Sequence, residues 1–305
     1  MAALLSLERA RIDVEGAPLV ENLSIVSPGP RVALLGDWRA LFSLLGAQAK
    51  LASGRAQIGG CDVAEAVAAG VVGLAPYEPQ LPAAWTAEQY LTWSARLTGT
   101  TESSAKQLAK QALAGLELVA LSARKLGTLM PMERRALMLA HATLGDPRVL
   151  ALDRPLARLD EPAQRWLREL VHRGGTDRAL VVSIEDAFAP GVERALVEDF
   201  DEVLTMERTD LVLQGPPASA LTANGRYLVT VLAGAQELAA RLVERGARVE
   251  LAPIEGPAAR LVVALPEGAD PGIVLAASAE LGAPVVELVA LGGAVTTTRA
   301  GAEET

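Results

Sequence analysis

One cysteine, Cys61, and two histidines, His141 and His172, are the whole supply of these ligands in 305 residues. A single thiol cannot close an internal disulfide, and a reducing compartment is its natural setting. The two histidines have no Cys or His neighbours in sequence, so no metal-ligand spacing exists, and His141 reads as a packed or surface position on a helix. Aromatic residues are scarce, at 3%. Cationic side chains are also in deficit: 28 Lys and Arg against 37 Asp and Glu leave a net charge of -9. Without a basic stripe to neutralise phosphates, a general nucleic-acid binder is excluded. No apolar run reaches the roughly 20 residues of a membrane span. The opening stretch MAALLSLERARID lacks the basic lead, long apolar core and small-residue cleavage site of a signal peptide. The expectation is a soluble chain, for which docking on a membrane protein remains open.

What the chain has in quantity is aliphatic surface. Half of it is hydrophobic, and its length supports one large domain plus a small one or two of similar size. Residues 4–27 alternate as two antiparallel strands around the turn Glu15-Gly16-Ala17-Pro18. Arg31–Leu35 reads as a strand, Gly36–Arg39 as a tight loop and Ala40–Ala47 as a helix. A later strand, GVVGLA, leads into a proline-bounded loop and a helix capped near Thr86 by Thr86-Ala87-Glu88-Gln89. A further helix is expected over Ser103–Leu121.

The stretch Gly145–Asp160, GDPRVLALDRPLARLD, organises the rest. Val149-Leu150-Ala151-Leu152 has no polar alternation, as expected of a parallel strand covered on both faces. Asp153 emerges at its carboxyl end, where α/β sheets place ligand chemistry. The earlier strand-loop-helix has the geometry of a phosphate-binding loop, in which backbone N–H groups at a helix start face an anion. Against the motif G-x-x-x-x-G-K-[ST], Gly36 and Ser43 match, whereas Leu41 and Phe42 replace the glycine and lysine and Asp37 adds a negative charge. Taken alone, two matches out of four constrained positions favour an ordinary strand-to-helix turn.

From Leu5 to about Pro217 the sequence resembles the nucleotide-binding subunit of an ATP-binding cassette (ABC) transporter, of the group that drives ABC-2 type exporters. The resemblance rests on the spacing from LLGDWRALFS to Val149–Leu152, on GDPRVLALDRPLARLD and on DEVLTMERTDLVLQGPP. It implies an α/β fold of the P-loop NTPase type, with a mixed core sheet, an antiparallel β subdomain and a helical subdomain over about 82–142. Gly36, Ser43 and Asp153 are then the remnant of a nucleotide and magnesium site, and Arg39 and Arg154 are candidate anion contacts. Asp153 either pairs with Ser43 on a magnesium ion or caps nearby N–H groups. Arg154 either meets an anion or pairs internally with Asp153 or Glu185.

The family's functional positions are otherwise replaced. Val14 stands for the adenine-stacking aromatic, Phe42 for the phosphate-loop lysine, and Tyr77 for the glutamine that links metal to permease. Leu129-Met130-Pro131-Met132-Glu133 stands for the signature Leu-Ser-Gly-Gly-Gln, Arg154 for the water-polarising acid, and Glu185 for the terminal histidine. The resemblance therefore implies a degenerate subunit: no catalytic residues, no metal site of its own, doubtful ATP and magnesium binding, and no ATP hydrolysis by the chain alone. Its implied partners are an ABC-2 type permease and a second cassette, or itself as a dimer. That puts it on the cytoplasmic face of the inner membrane, with Trp85 and Trp93 where the family contacts its permease. The alternative is a regulatory or scaffold protein that kept the fold without a transport cycle.

Residues 1–217 thus form the expected cassette. Residues 224–294 read as β-α-β-β-α-β, a small ferredoxin-like α+β domain with Gly246 and Gly282 at its helix ends, and residues 295–305 as a flexible tail.

Overall fold

The computed structural model describes residues 3–185, 187, 190–207, 209–221, 226–252, 258–266 and 269–290. The expected tail, 295–305, lies outside the described residues. The chain divides into two compact units, Met1–Ala220 and Leu221–Thr305.

In the first unit, β1 (Leu5–Val14) and β2 (Ala17–Ser27) pair antiparallel. Glu15 and Gly16 turn between them with positive φ, the latter at no steric cost. After β3 (Arg31–Gly36) and α1 (Arg39–Leu45), the chain returns as β4 (Lys50–Ile58) and β5 (Cys61–Asp62), giving a sheet of order β2-β1-β4-β5. Next come α2 (Val63–Ala68) and β6 (Val72–Ala75). The helical region holds α3 (Ala87–Leu97), α4 (Glu102–Gly115) and α5 (Pro131–Ala142). The cap of α3 is a reciprocal pair: Gln89 N–H donates to the Thr86 hydroxyl at 3.2 Å, and Thr86 N–H to Gln89 Oε1 at 2.8 Å. The helix expected to run to Leu121 stops at Gly115. Glu117 then takes a left-handed φ of 58°, and Val119–Leu121 form one 3-10 turn.

The remaining elements are β7 (Val149–Leu152), α6 (Glu161–Gly174), β8 (Ala179–Ile184), α7 (Val192–Val197), β9 (Glu202–Glu207), β10 (Asp210–Gly215) and α8 (Pro217–Ala220). The second sheet runs β10-β9-β3-β8-β7-β6, parallel except for the antiparallel edge strand β10. All four residues of β7 are buried, as a strand covered on both faces requires. The carboxyl ends of β3, β6, β7 and β8 therefore share one edge, where Gly36, Tyr77, Asp153 and Glu185 emerge. A core of Leu5, Leu7, Ile12, Ile25, Ile58 and Leu34 lies under the antiparallel sheet, and α1 adds Leu41, Phe42 and Leu45 to it.

The second unit contains β11 (Arg226–Val231), α9 (Ala235–Glu244), β12 (Arg248–Ala252), β13 (Ala259–Ala264), α10 (Gly272–Leu281) and β14 (Val285–Ala290). Its sheet order, β12-β13-β11-β14 and antiparallel throughout, is that of a ferredoxin-like fold. Gly282 ends α10 in the left-handed region, and Gly246 does so one residue beyond the C-cap of α9.

Candidate functional site

At the tip of β3 the loop is short. Only Asp37 and Trp38 separate the strand from α1, because the helix starts at Arg39 and already uses the Phe42 N–H, which donates to the Trp38 carbonyl at 3.2 Å. Trp38 is 2% exposed, and its indole N–H donates to the Leu35 carbonyl at 2.8 Å, so the link is filled by its own side chain. Phe42 and Leu41 are buried in the core instead of facing the loop. Gly36 keeps a backbone role: with φ at +91°, a Cβ there would lie 1.8 Å from the Met206 carbonyl oxygen on β9.

Asp37 occupies the helix start. Its Oδ1 accepts the Arg39 backbone N–H at 3.1 Å and the Arg39 Nε at 2.9 Å, and Oδ2 accepts from Nη2 at 2.5 Å. The hydrogen bonds from the Arg39 side chain hold the Asp37 carboxyl below its ordinary value, and partial burial opposes them. Arg39, a candidate anion contact, is thus engaged by a carboxylate of its own chain while remaining 71% exposed. Ser43 lies half-buried in the second turn of α1, its carbonyl accepting the N–H groups of Gln48 and Ala49.

At the tip of β7, Asp153 Oδ1 accepts the Ser183 hydroxyl at 2.8 Å and Arg154 Nε at 3.2 Å. The Ser183 oxygen in turn accepts the Arg154 backbone N–H at 2.8 Å. Of the two internal partners considered for Arg154, the observed one is Asp153; Glu185 lies 3.9 Å from Arg158. Tyr77, after β6, packs against Arg154 and against Arg135 from α5. Sequence reasoning did not anticipate this contact, since nothing in the run Glu133-Arg134-Arg135 marks which arginine turns inward.

The start of α5 repeats the pattern seen at α1. Pro131 at the first helical position has no N–H to offer, and the Glu133 carboxylate reaches back to accept the Met130 N–H at 2.8 Å while pairing with Arg124. Met130 is exposed. Beside α3, Trp85 and Trp93 meet edge to face with centroids 5.8 Å apart, and Tyr90 continues the row to His141. His141 is packed inside: its Nδ1 lies 3.2 Å from the Leu74 carbonyl, and burial pushes it below its ordinary value. Trp85 and Trp93 are 36% and 46% exposed and line a cavity of about 630 Å³ with Thr86, Gln89 and Lys106.

No protein-family model matches the chain. Among curated proteins it is 36% identical over 109 residues to the Nod factor export ATP-binding protein I of Burkholderia pseudomallei, covering 34% of this chain and 36% of that protein. It is 30% identical over 158 residues to ATP-binding cassette sub-family A member 7 of Rattus norvegicus, covering 50% of this chain and 7% of that one. The human phospholipid-transporting ATPase ABCA7 matches at 32% over 158 residues, again 7% of its length. The chain thus spans well under half of these relatives. Among solved structures, cbiO1 from Clostridium perfringens, part of the ABC transporter complex cbiONQ, superposes with a TM-score of 0.59 at 18% identity, covering 81% of this chain and 98% of that one. An ATP-binding cassette of an ABC transporter in its ADP conformation gives 0.59 at 14% identity over 73% and 96%. At those identities the superpositions speak for the fold. The fold is that of an ATP-binding cassette, and part of the chain is similar in sequence to ATP-binding proteins of ABC transporters.

Proposed function

We propose that the chain is a degenerate cassette subunit of an ABC-2 type export complex, paired with a second cassette or with its own copy and docked on a membrane permease. One observation carries the degeneracy. Both helix starts that the family turns towards phosphate, α1 and α5, are closed by carboxylates of this chain, Asp37 and Glu133. An anion arriving at either would meet a negative charge where it needs free N–H donors. The residues present do not suit magnesium and a triphosphate: Phe42 is buried where a cation is needed, and Asp153 is already shared between Ser183 and Arg154.

The export reading draws on the named Nod factor relative, and docking draws on the exposed tryptophans beside α3, a residue type suited to anchoring a partner. Among the described residues no helix is long and apolar enough to cross a membrane, so attachment at the inner membrane would come through a permease.

Two measurements test this. Isothermal titration of the purified chain with magnesium and ATP should give no binding heat and no phosphate release. Turnover abolished by Asp153→Asn would overturn the degeneracy. Affinity purification from native membranes should recover a multi-span permease and a second cassette; recovery of the chain alone would favour the regulatory or scaffold alternative.

A further inference from the structure

Tyr77, Arg135 and Arg154 come from three different elements and meet in one stack. The guanidinium carbon of each arginine lies 3.9 Å from the centroid of the Tyr77 ring. Two guanidinium groups that close over a single face would overlap, so they flank the ring on opposite faces. Each cation has its own acid. Arg135, whose side chain is 8% exposed, lies 3.4 Å from Glu78, and Arg154 lies 3.2 Å from Asp153. The cluster is therefore neutral overall, and the negative faces of the ring separate its two positive charges.

The stack depends on the ring and not on its polar tip, because the Tyr77 hydroxyl is buried with no hydrogen-bond partner among the described residues. Arg154 also takes a left-handed φ of +46°. Here Ser183 holds its N–H, Asp153 its Nε and Tyr77 its guanidinium plane.

We propose that Arg135, Tyr77 and Arg154 form an intramolecular clamp that fixes the helical region, through α5, against the carboxyl ends of β6 and β7. A guanidinium stacked on an aromatic face is worth more the less water and salt reach it, so Arg135, 8% exposed, carries more of the contact than Arg154, 30% exposed. The clamp also gives a physical reason for two replaced residues at once. An arginine after β7 and a tyrosine after β6 are each unsuited to a hydrolytic site, yet together with Arg135 they make a matched contact. The proposal does not depend on the export reading, since it concerns only contacts within the first unit.

Hydrogen exchange of the full chain, followed by mass spectrometry, tests it, with peptides from β1 and β2 as internal reference. Tyr77→Leu should raise exchange in 87–142 by about tenfold relative to the reference, the size expected from losing a buried cation–π contact. Tyr77→Phe should leave it unchanged. Arg154→Gln, the milder variant if Tyr77→Leu folds poorly, should raise the same peptides by roughly threefold. The double variant should raise exchange by less than the product of the two single effects, as residues in contact require. Unchanged exchange in 87–142, an equal rise in β1 and β2, a Phe variant that behaves like Leu, or fully multiplicative effects would each overturn the clamp.

Discussion

The tips of β3 and β7 lie one strand apart in the same sheet, and each carries an Asp–Arg pair, but the pairs differ in kind. Asp37 and Arg39 face solvent, with side chains 39% and 71% exposed; Asp153 and Arg154 sit at 16% and 30%, tied to Ser183 and to the ring of Tyr77. Charges in water are screened and contribute little, whereas a half-buried network leaves orphaned groups when one member is removed. The same two residue types thus close a helix start at one tip and build structure at the other. At β3 the shape is set by backbone and apolar packing, through Gly36 and Trp38. At β7 it is set by polar side chains.

Substitutions can break this contrast. The largest effect is expected from Gly36→Ala, where a positive φ and a backbone oxygen 1.8 Å from the new Cβ combine. A loss of about 4 kcal/mol in urea unfolding is expected, and a loss below about 1 kcal/mol would show that the β3 tip is not backbone-determined. Asp153→Ala should cost about 2 kcal/mol by stranding the Ser183 hydroxyl and Arg154. An effect no larger than that of Asp37→Asn would remove the distinction between the two tips.

His141, packed between the aromatic row and β6, sharpens the comparison through pH. Burial lowers its proton affinity in the folded chain, so the unfolded chain takes up the proton first as pH falls below the ordinary value of 6.5. The His141 contribution is present above that pH and lost below it. His141→Gln should flatten the stability profile as pH falls below 6.5, and an unaltered slope there would contradict a buried neutral imidazole. Asp37→Asn should be the mildest change, under about 1 kcal/mol at neutral pH and smaller still in high salt. Because the Asp37 carboxyl lies below its ordinary value, its contribution holds at neutral pH and is lost only as the solution is acidified through that lowered value.

Much of the fold was legible in the chain. An unbroken apolar run marked β7, the Thr86 to Gln89 spacing marked the start of α3, and the order of strands and helices after Arg226 marked the ferredoxin-like unit. These are local signals, set by side-chain period and turn chemistry within a few residues. The end of α4 was less legible, because Ala, Leu and Glu continue to favour helix past Gly115 while the chain turns at Glu117.

The site divides along the same line. By itself the sequence, through its resemblance to a cassette, implies that Phe42, Tyr77, Pro131 and Arg154 stand at that family's functional positions. Only the tertiary structure decided what those residues do instead. The burial of Phe42, the choice of Asp153 over Glu185 for Arg154, and the meeting of Arg135 and Arg154 on the Tyr77 ring all depend on which strand ends and helix faces the fold brings together. Pairwise energies among side chains fall off within a few ångströms, so partners tens of residues apart in sequence become readable only once the sheet has aligned its strand ends.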